Sequence, residues 1–214
     1  MIIDGRGLAK TVKENLAGRI SALKSDGKGV RLDAVIVGGD QGARLYAKNQ
    51  AKACDAIGIE YVLHELPDSA SQEDVAFRIE ELNANPEATA IMVHMPLPDG
   101  IDADDIQTLI AVDKDVEGVN PANIGNIVFG RRSHIPCTAL AVMEMIESTG
   151  IQISGSQAVC VGASTIVGKP VAVLLMQAEA TVISTNVHTK NHETLTKSAD
   201  ILVCAAGVPA LITP

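Results

Sequence analysis

The sequence reads as an α/β protein with parallel strands, and three observations carry that reading. Short β-branched runs alternate with longer stretches of helical period, the order that produces parallel strands joined by helical crossovers. The apolar residues, 47% of the chain, are overwhelmingly aliphatic, with no Trp and only two Tyr and two Phe. Val, Ile, Leu and Ala in that proportion make the usual core of helices packed on a parallel sheet. The length, 214 residues, suits one large domain or two small ones and suffices to bury a core, which excludes disorder as the main state.

In chain order, a helical stretch at 5–24 precedes a strand from Leu32 to Val37. A second helix, 43–57, stops at Gly58, which follows the apolar pair Ala56-Ile57 and supplies the residue type that helix ends favour. The strand Glu60 to Leu63 leads to a helix at 71–84, opened by Ser71 with Asp74 three residues on, a capping pair. After the strand Ala90 to Val93 the alternation breaks. Up to Pro136 the chain holds Pro96, Pro98, Pro121 and Gly100, Gly118, Gly125, Gly130, leaving one short helix at 102–110. Loops that long inside a compact domain more often carry function than not. A helix at 138–149 then precedes the strands Ala158 to Val161, Thr181 to Ser184 and Ile201 to Cys204, separated by helices at 169–178 and 191–197. We place a first unit at 1–140 and a second at 141–214, with the 138–149 helix bridging them and 157–214 forming only a βαβαβ piece.

Charge and cysteine content narrow the function classes. Seventeen Lys and Arg against 26 Asp and Glu give a net charge of -9, without long blocks of either sign, which argues against nucleic acid and anionic membranes as partners. No run of eighteen apolar residues occurs, and Asp4, Arg6 and Lys10 interrupt the start where a signal peptide needs an apolar stretch, so a soluble cytoplasmic protein is expected. Cys54, Cys137, Cys160 and Cys204 are widely spaced, with neither a C-x-x-C pair nor a neighbouring His. They are expected to be reduced and mostly buried thiols, and no metal site is expected.

The segment Gly162-Ala163-Ser164-Thr165-Ile166-Val167-Gly168-Lys169-Pro170 joins an apolar strand to a helix. Such a turn lets backbone N–H groups approach a pyrophosphate, and Pro170 suits a first helical turn. The spacing is not G-x-G-x-x-G, and a ligand-free tight turn has the same look. At the end of the next strand, where a dinucleotide's ribose is usually read, the chain has Ser184-Thr185-Asn186-Val187-His188-Thr189-Lys190, with neither acid nor arginine. Lys190 or a protonated His188 can meet a phosphate there, or simply be solvated.

Three segments together resemble the methylenetetrahydrofolate dehydrogenase/methenyltetrahydrofolate cyclohydrolase family of one-carbon metabolism. The first is Val37-Gly38-Gly39-Asp40 with Tyr46 and the run Lys52 to Ile59; the second is Val93-His94-Met95-Pro96-Leu97-Pro98 with Ile101-Asp102 and the run Lys114 to Gly125; the third is Pro136-Cys137-Thr138, the turn Gly162 to Pro170, and Ala206-Gly207-Val208-Pro209. Ile3-Asp4-Gly5 also fits, so the resemblance spans essentially the whole chain.

The resemblance implies a folate-type catalytic domain followed by a Rossmann-like nucleotide-binding domain. A tetrahydrofolate derivative is the implied substrate, in a cleft between the units, with NADP or NAD held by Gly162, Ala163, Ser164, Ile166, Val167 and Gly168. Tyr46 flanks the folate, Pro96 lies in the substrate loop, and an aspartate in the position of Glu117 holds the pterin. A lysine four residues after the tyrosine serves the cyclohydrolase step, helped by a glutamine in the position of His94. Here those positions are Gln50 and His94, and the usual Phe-His is Val119-Asn120. Gln50 does not titrate near neutral pH, so it lacks a general acid/base role worth roughly a hundred- to ten-thousandfold in rate. His94 either relays the proton that lysine handles or is a hydrogen-bonded residue of the proline-rich loop. Family members also continue beyond the position of Pro214, so the nucleotide-binding unit is expected to be incomplete here, with an exposed sheet edge; homodimers are common among them.

The expected activity is oxidation of 5,10-methylenetetrahydrofolate to the methenyl form with the cyclohydrolase step weakened or lost. A catalytically silent folate- or dinucleotide-binding member, or a dehydrogenase for another pterin, are the alternatives. Neither the choice between NAD and NADP nor the reaction direction is fixed by these residues.

Overall fold

The computed structural model describes residues 2–131 and 134–213, so Pro214, where the nucleotide-binding unit was expected to break off, lies outside the described residues. Two compact units divide at Pro121/Ala122, about twenty residues before the expected boundary. The helix expected to bridge them packs into the core of the second unit through Ala139 and Met143.

The first unit holds α1 (Gly5–Ser25), β1 (Arg31–Val37), α2 (Gln41–Ile57), β2 (Glu60–Leu66), α3 (Gln72–Ala84), β3 (Ala90–Val93) and α4 (Ala103–Leu109). Its three strands are parallel in the order β2-β1-β3. Strand β1 is central and buried on both faces. Val35 and Val37 pack with Val75, Ile79 and Leu82 of α3, while Leu32 and Ala34 pack with Cys54 of α2, Met92, and the β2 residues Tyr61 and Leu63. Fully burying one such aliphatic side chain contributes about 1.5–3 kcal/mol. The α3 capping box forms as the spacing predicts: Ser71 Oγ accepts from the Asp74 N–H, and the Asp74 carboxylate accepts from the Ser71 N–H. Gly58 ends α2 in the left-handed region at φ +84°.

One charged group is fully buried in this sheet. Asp33, 0% exposed, accepts from Arg31 at 2.7 Å and pairs with His64 Nε2 at 2.8 Å. Burying a carboxylate is tolerable only with such partners, and these three residues form a structural hydrogen-bonded cluster on the α3 side of the sheet.

The second unit holds α5 (Pro121–Val128), α6 (Cys137–Glu147), β4 (Gln157–Val161), α7 (Gly168–Gln177), β5 (Thr181–Thr185), α8 (His192–Lys197) and β6 (Ile201–Cys204). Its sheet is again parallel, in the order β5-β4-β6. Helix α5 lies in the stretch expected to be irregular: Pro121 opens it, and its interior Gly125 masks the pattern. Two cysteines, Cys54 and Cys160, are buried, whereas Cys137 and Cys204 are exposed, so "mostly buried" holds for half of them. No helix among the described residues is long and apolar enough to cross a membrane.

Candidate functional site

In each sheet the chain leaves the central strand toward one neighbour and returns on the other side. Ligands of open parallel sheets bind where the order reverses, beyond the C-terminal strand ends. In the first unit that place is a pocket of about 290 Å³ lined by Gly42, Ala43 and Tyr46 of α2, Met92 to Met95 at the end of β3, and Glu117. Helix α2 is set there by its cap, since Asp40 accepts from the Ala43 N–H at 2.7 Å.

Tyr46, 59% exposed, meets the His94 ring in a T-shaped contact, with ring centroids 5.7 Å apart and an interplanar angle of 75°. His94 is 3% exposed. Its backbone N–H donates to Val35 O at 2.8 Å, and its Nε2 lies 3.1 Å from the Tyr61 hydroxyl. Burial lowers the imidazole pKa, so the ring is neutral at pH 7.

Glu117 owes its place to the Lys114–Asn120 loop. Lys114 Nζ donates to the Leu82, Asn83 and Asn85 carbonyls at the end of α3, where a cation complements the exposed carbonyls. The Ile91 N–H donates to Lys114 O at 2.8 Å, binding the loop to β3. Buried Asp115 accepts from the Asn120 N–H at 2.8 Å, and Asn120 Nδ2 donates to the Thr108 and Ile110 carbonyls. With its ends fixed, the loop holds the Glu117 carboxyl half-buried at the pocket. Burial pushes that carboxyl up to about 7, the Asp115 charge adds to the rise, and a hydrogen bond from the Val93 backbone opposes it. Near neutrality this group exchanges a proton or accepts from a ligand N–H.

Tyr46, His94 and Glu117 therefore line one pocket. Gln50 does not line the pocket; it lies one helical turn after Tyr46, and its buried Oε1 has no hydrogen-bond partner among the described residues. Pro96 follows the pocket residue Met95 and is exposed. Tyr61 was missed by the sequence reading. Its signal was positional: in the strand it alternates with Val62, placing it on the same face as Leu63, toward α2.

In the second unit the expected residues Gly162 to Gly168 form the turn at the end of β4. Gly162 has φ +100°, and a Cβ there would meet Ala205 O at 2.7 Å. A Cβ on Gly168 would collide with the Gly162 carbonyl. Ser164 Oγ accepts from the Val167 and Gly168 N–H groups at 3.3 Å, and its carbonyl accepts from the Lys169 N–H at 2.9 Å. The turn thus requires two glycines and leads directly into α7, as a pyrophosphate cradle needs. Ala163 and Ile166 lie within it. Asn186, just past the end of β5, accepts from the His188 N–H at 2.9 Å while its own N–H donates to Thr189 Oγ1 at 2.8 Å. No cluster of metal-ligating side chains occurs among the described residues.

Residues 3–117 match the family model described as tetrahydrofolate dehydrogenase/cyclohydrolase, catalytic domain, and residues 136–214 match the NAD(P)-binding domain of the same enzymes. Bifunctional protein FolD of Nitrosospira multiformis is 43% identical over 212 residues, covering 99% of this chain and 74% of the relative. FolD of Listeria innocua is 41% identical over 211 residues, with coverages of 99% and 74%. Among solved structures, the bifunctional FolD methylenetetrahydrofolate dehydrogenase/cyclohydrolase of Campylobacter jejuni superposes with a TM-score of 0.95 at 36% identity, covering 98% of this chain and 74% of that one. The Trypanosoma brucei enzyme, complexed with NADP cofactor and inhibitor, gives 0.93 at 32% identity, with coverages of 99% and 73%.

Proposed function

The chain belongs to the tetrahydrofolate dehydrogenase/cyclohydrolase family, and from that premise we propose that it oxidises 5,10-methylenetetrahydrofolate to 5,10-methenyltetrahydrofolate with NADP or NAD, its cyclohydrolase step weakened or lost. One observation carries the proposal: the dinucleotide turn and the Tyr46–His94–Glu117 pocket are both built, while the lysine position holds Gln50.

The two reactions make different demands. Oxidation moves a hydride from the methylene carbon to the nicotinamide, chemistry the dinucleotide supplies when bound. The protein then contributes position: Tyr46 flanks the pterin, Glu117 accepts from its N–H groups, and Gly162, Ser164 and Gly168 seat the pyrophosphate. No proton changes hands in that step, so the loss of a lysine leaves it intact. Hydrolysis instead adds water to the methenyl carbon and must remove a proton, and the Gln50 amide neither accepts nor donates one at neutral pH. We place the site residues at Tyr46, Gln50, His94, Pro96 and Glu117 for the folate and at Gly162 to Gly168 for the dinucleotide. The active form is a homodimer on this reading.

The buried oxygen of Gln50, without a hydrogen-bond partner among the described residues, favours a second reading, a folate- or dinucleotide-binding protein without turnover. Thermal shift with NAD, NADP and tetrahydrofolate taken separately, followed by NAD(P)H formation with methylenetetrahydrofolate, decides between them. A ligand at a hundred times its Kd adds about 2.7 kcal/mol of stability. Shifts with reduced-cofactor formation support the dehydrogenase, shifts without it support the silent binder, and no shift with any ligand removes both.

A further inference from the structure

We propose that Tyr61 is a positioning residue of the folate pocket: its hydroxyl donates to His94 Nε2, fixes the imidazole as the neutral Nδ1–H tautomer, and leaves Nδ1–H as the ring's only donor for a bound ligand. The identity of that ligand as a pterin rests on the reading above; the tautomer does not.

The geometry leaves the ring little freedom. Tyr61 stands on β2 with its side chain in the layer between the sheet and α2, and its oxygen is 3.1 Å from His94 Nε2. Among the described residues that nitrogen is the hydroxyl's one hydrogen-bond partner. If Nε2 carried the proton and donated instead, the phenolic proton would have no acceptor in a half-buried site, which polar groups in native structures avoid. The His94 backbone is fixed by its N–H bond to Val35 O, and the ring meets the Tyr46 ring in a T-shaped contact. Burial drives the two groups the same way, lifting the phenol to about 12 and lowering the imidazole, so both are uncharged at neutral pH.

This arrangement decides between the two roles open to His94. Passing a proton through the ring, taken up at Nε2 and released at Nδ1, would require Tyr61 to surrender its own proton, and that phenol resists ionisation. His94 is therefore a fixed donor, and the group in this pocket that titrates near neutrality is Glu117. A donor at position 94 matches the hydrogen-bonding capacity of an amide N–H, which is how the pocket keeps its polarity with a histidine there.

Imidazole 15N NMR on the whole protein at neutral pH tests the inference, with His94 assigned by the signal lost in His94→Gln. The expected wild-type spectrum has a protonated Nδ1 and a bare Nε2, and Tyr61→Phe mixes the tautomers. An Nε2–H or already mixed wild-type signal overturns the inference, whatever the folding of the variant. In turnover, Tyr61→Phe is expected to lower kcat/KM for methylenetetrahydrofolate about fivefold while leaving KM for the dinucleotide unchanged. It should cost nothing further in the His94→Gln background; additive losses would show that Tyr61 acts through something other than His94. Wild-type protein with the expected tautomer but no turnover would remove the dehydrogenase reading and leave the Tyr61 assignment standing.

Discussion

The two units solve one topological problem twice and furnish the result differently. Each sheet is three parallel strands with the first strand central and the next two on either side, and each has a candidate site beyond the strand ends. In the first unit the site consists of side chains: the Tyr46 ring, the His94 imidazole and the Glu117 carboxyl. In the second it consists of main chain, shaped by two absent Cβ atoms at Gly162 and Gly168. Side chains at a pocket rim can change without disturbing the β1 core that supports them. A glycine whose Cβ would strike a neighbouring carbonyl cannot change without moving the turn. The departures that the family resemblance implies fall on the side-chain site, at Gln50, His94, Glu117 and Val119-Asn120, while Gly162 and Gly168 fit the resemblance.

The strongest way to break the comparison is to restore one side chain. Gln50→Lys should raise methenyltetrahydrofolate hydrolysis by about a hundredfold or more, the scale of a recovered general acid/base, with little change in dehydrogenase rate. Hydrolysis that stays flat would mean that the pocket has lost more than the lysine, and that single side chains do not control it.

The converse change targets the main-chain site. Gly168→Ala places a methyl against the Gly162 carbonyl, and overpacking of this kind costs about 1–3 kcal/mol. Because the turn must open to relieve it, NAD(P) affinity should fall by about tenfold or more, with tetrahydrofolate affinity unchanged. Isothermal titration with both ligands checks this; equal losses for both would show that the two sites are not furnished independently.

How legible each site was in the sequence follows from the same contrast. Strand cores were readable because β-branched runs have few other uses: Ala90–Val93 and Ile201–Cys204 fall where the pattern puts them. The glycine turn was readable because residues of special backbone freedom stand out in a string. Helix α5 was not, since Pro121 and Gly125 look like loop residues until Pro121 is seen opening a helix. Tyr61 was invisible for a different reason. Its role depends on a partner thirty-three residues away, just past the end of a strand that is not its hydrogen-bonded neighbour, and no local period encodes such a pair. The Arg31–Asp33–His64 cluster escaped likewise, hidden in a strand that reads as apolar.

The subtlest test lies in the pH dependence of stability and asks whether the first site's polarity is held against the fold. The Glu117 carboxyl titrates near 7 in the folded protein against an ordinary 4.5. Between those values the folded state binds more protons than the unfolded one, so stability falls as pH rises through the window and the loss is complete above it. Glu117→Gln removes the titration while keeping shape and one acceptor. The variant should match the wild type at about pH 4 and exceed it by about 2 kcal/mol at about pH 8, a figure discounted for partial exposure. Urea midpoints at the two pH values measure the difference. A gap of the same size at both would mean that the carboxyl is not strained by its pocket. A gap that opens with pH would identify Glu117 as a group whose ionisation is disfavoured by folding and recovered when a ligand's N–H donors arrive, the stability cost of a side-chain site that the main-chain site of the second unit does not carry.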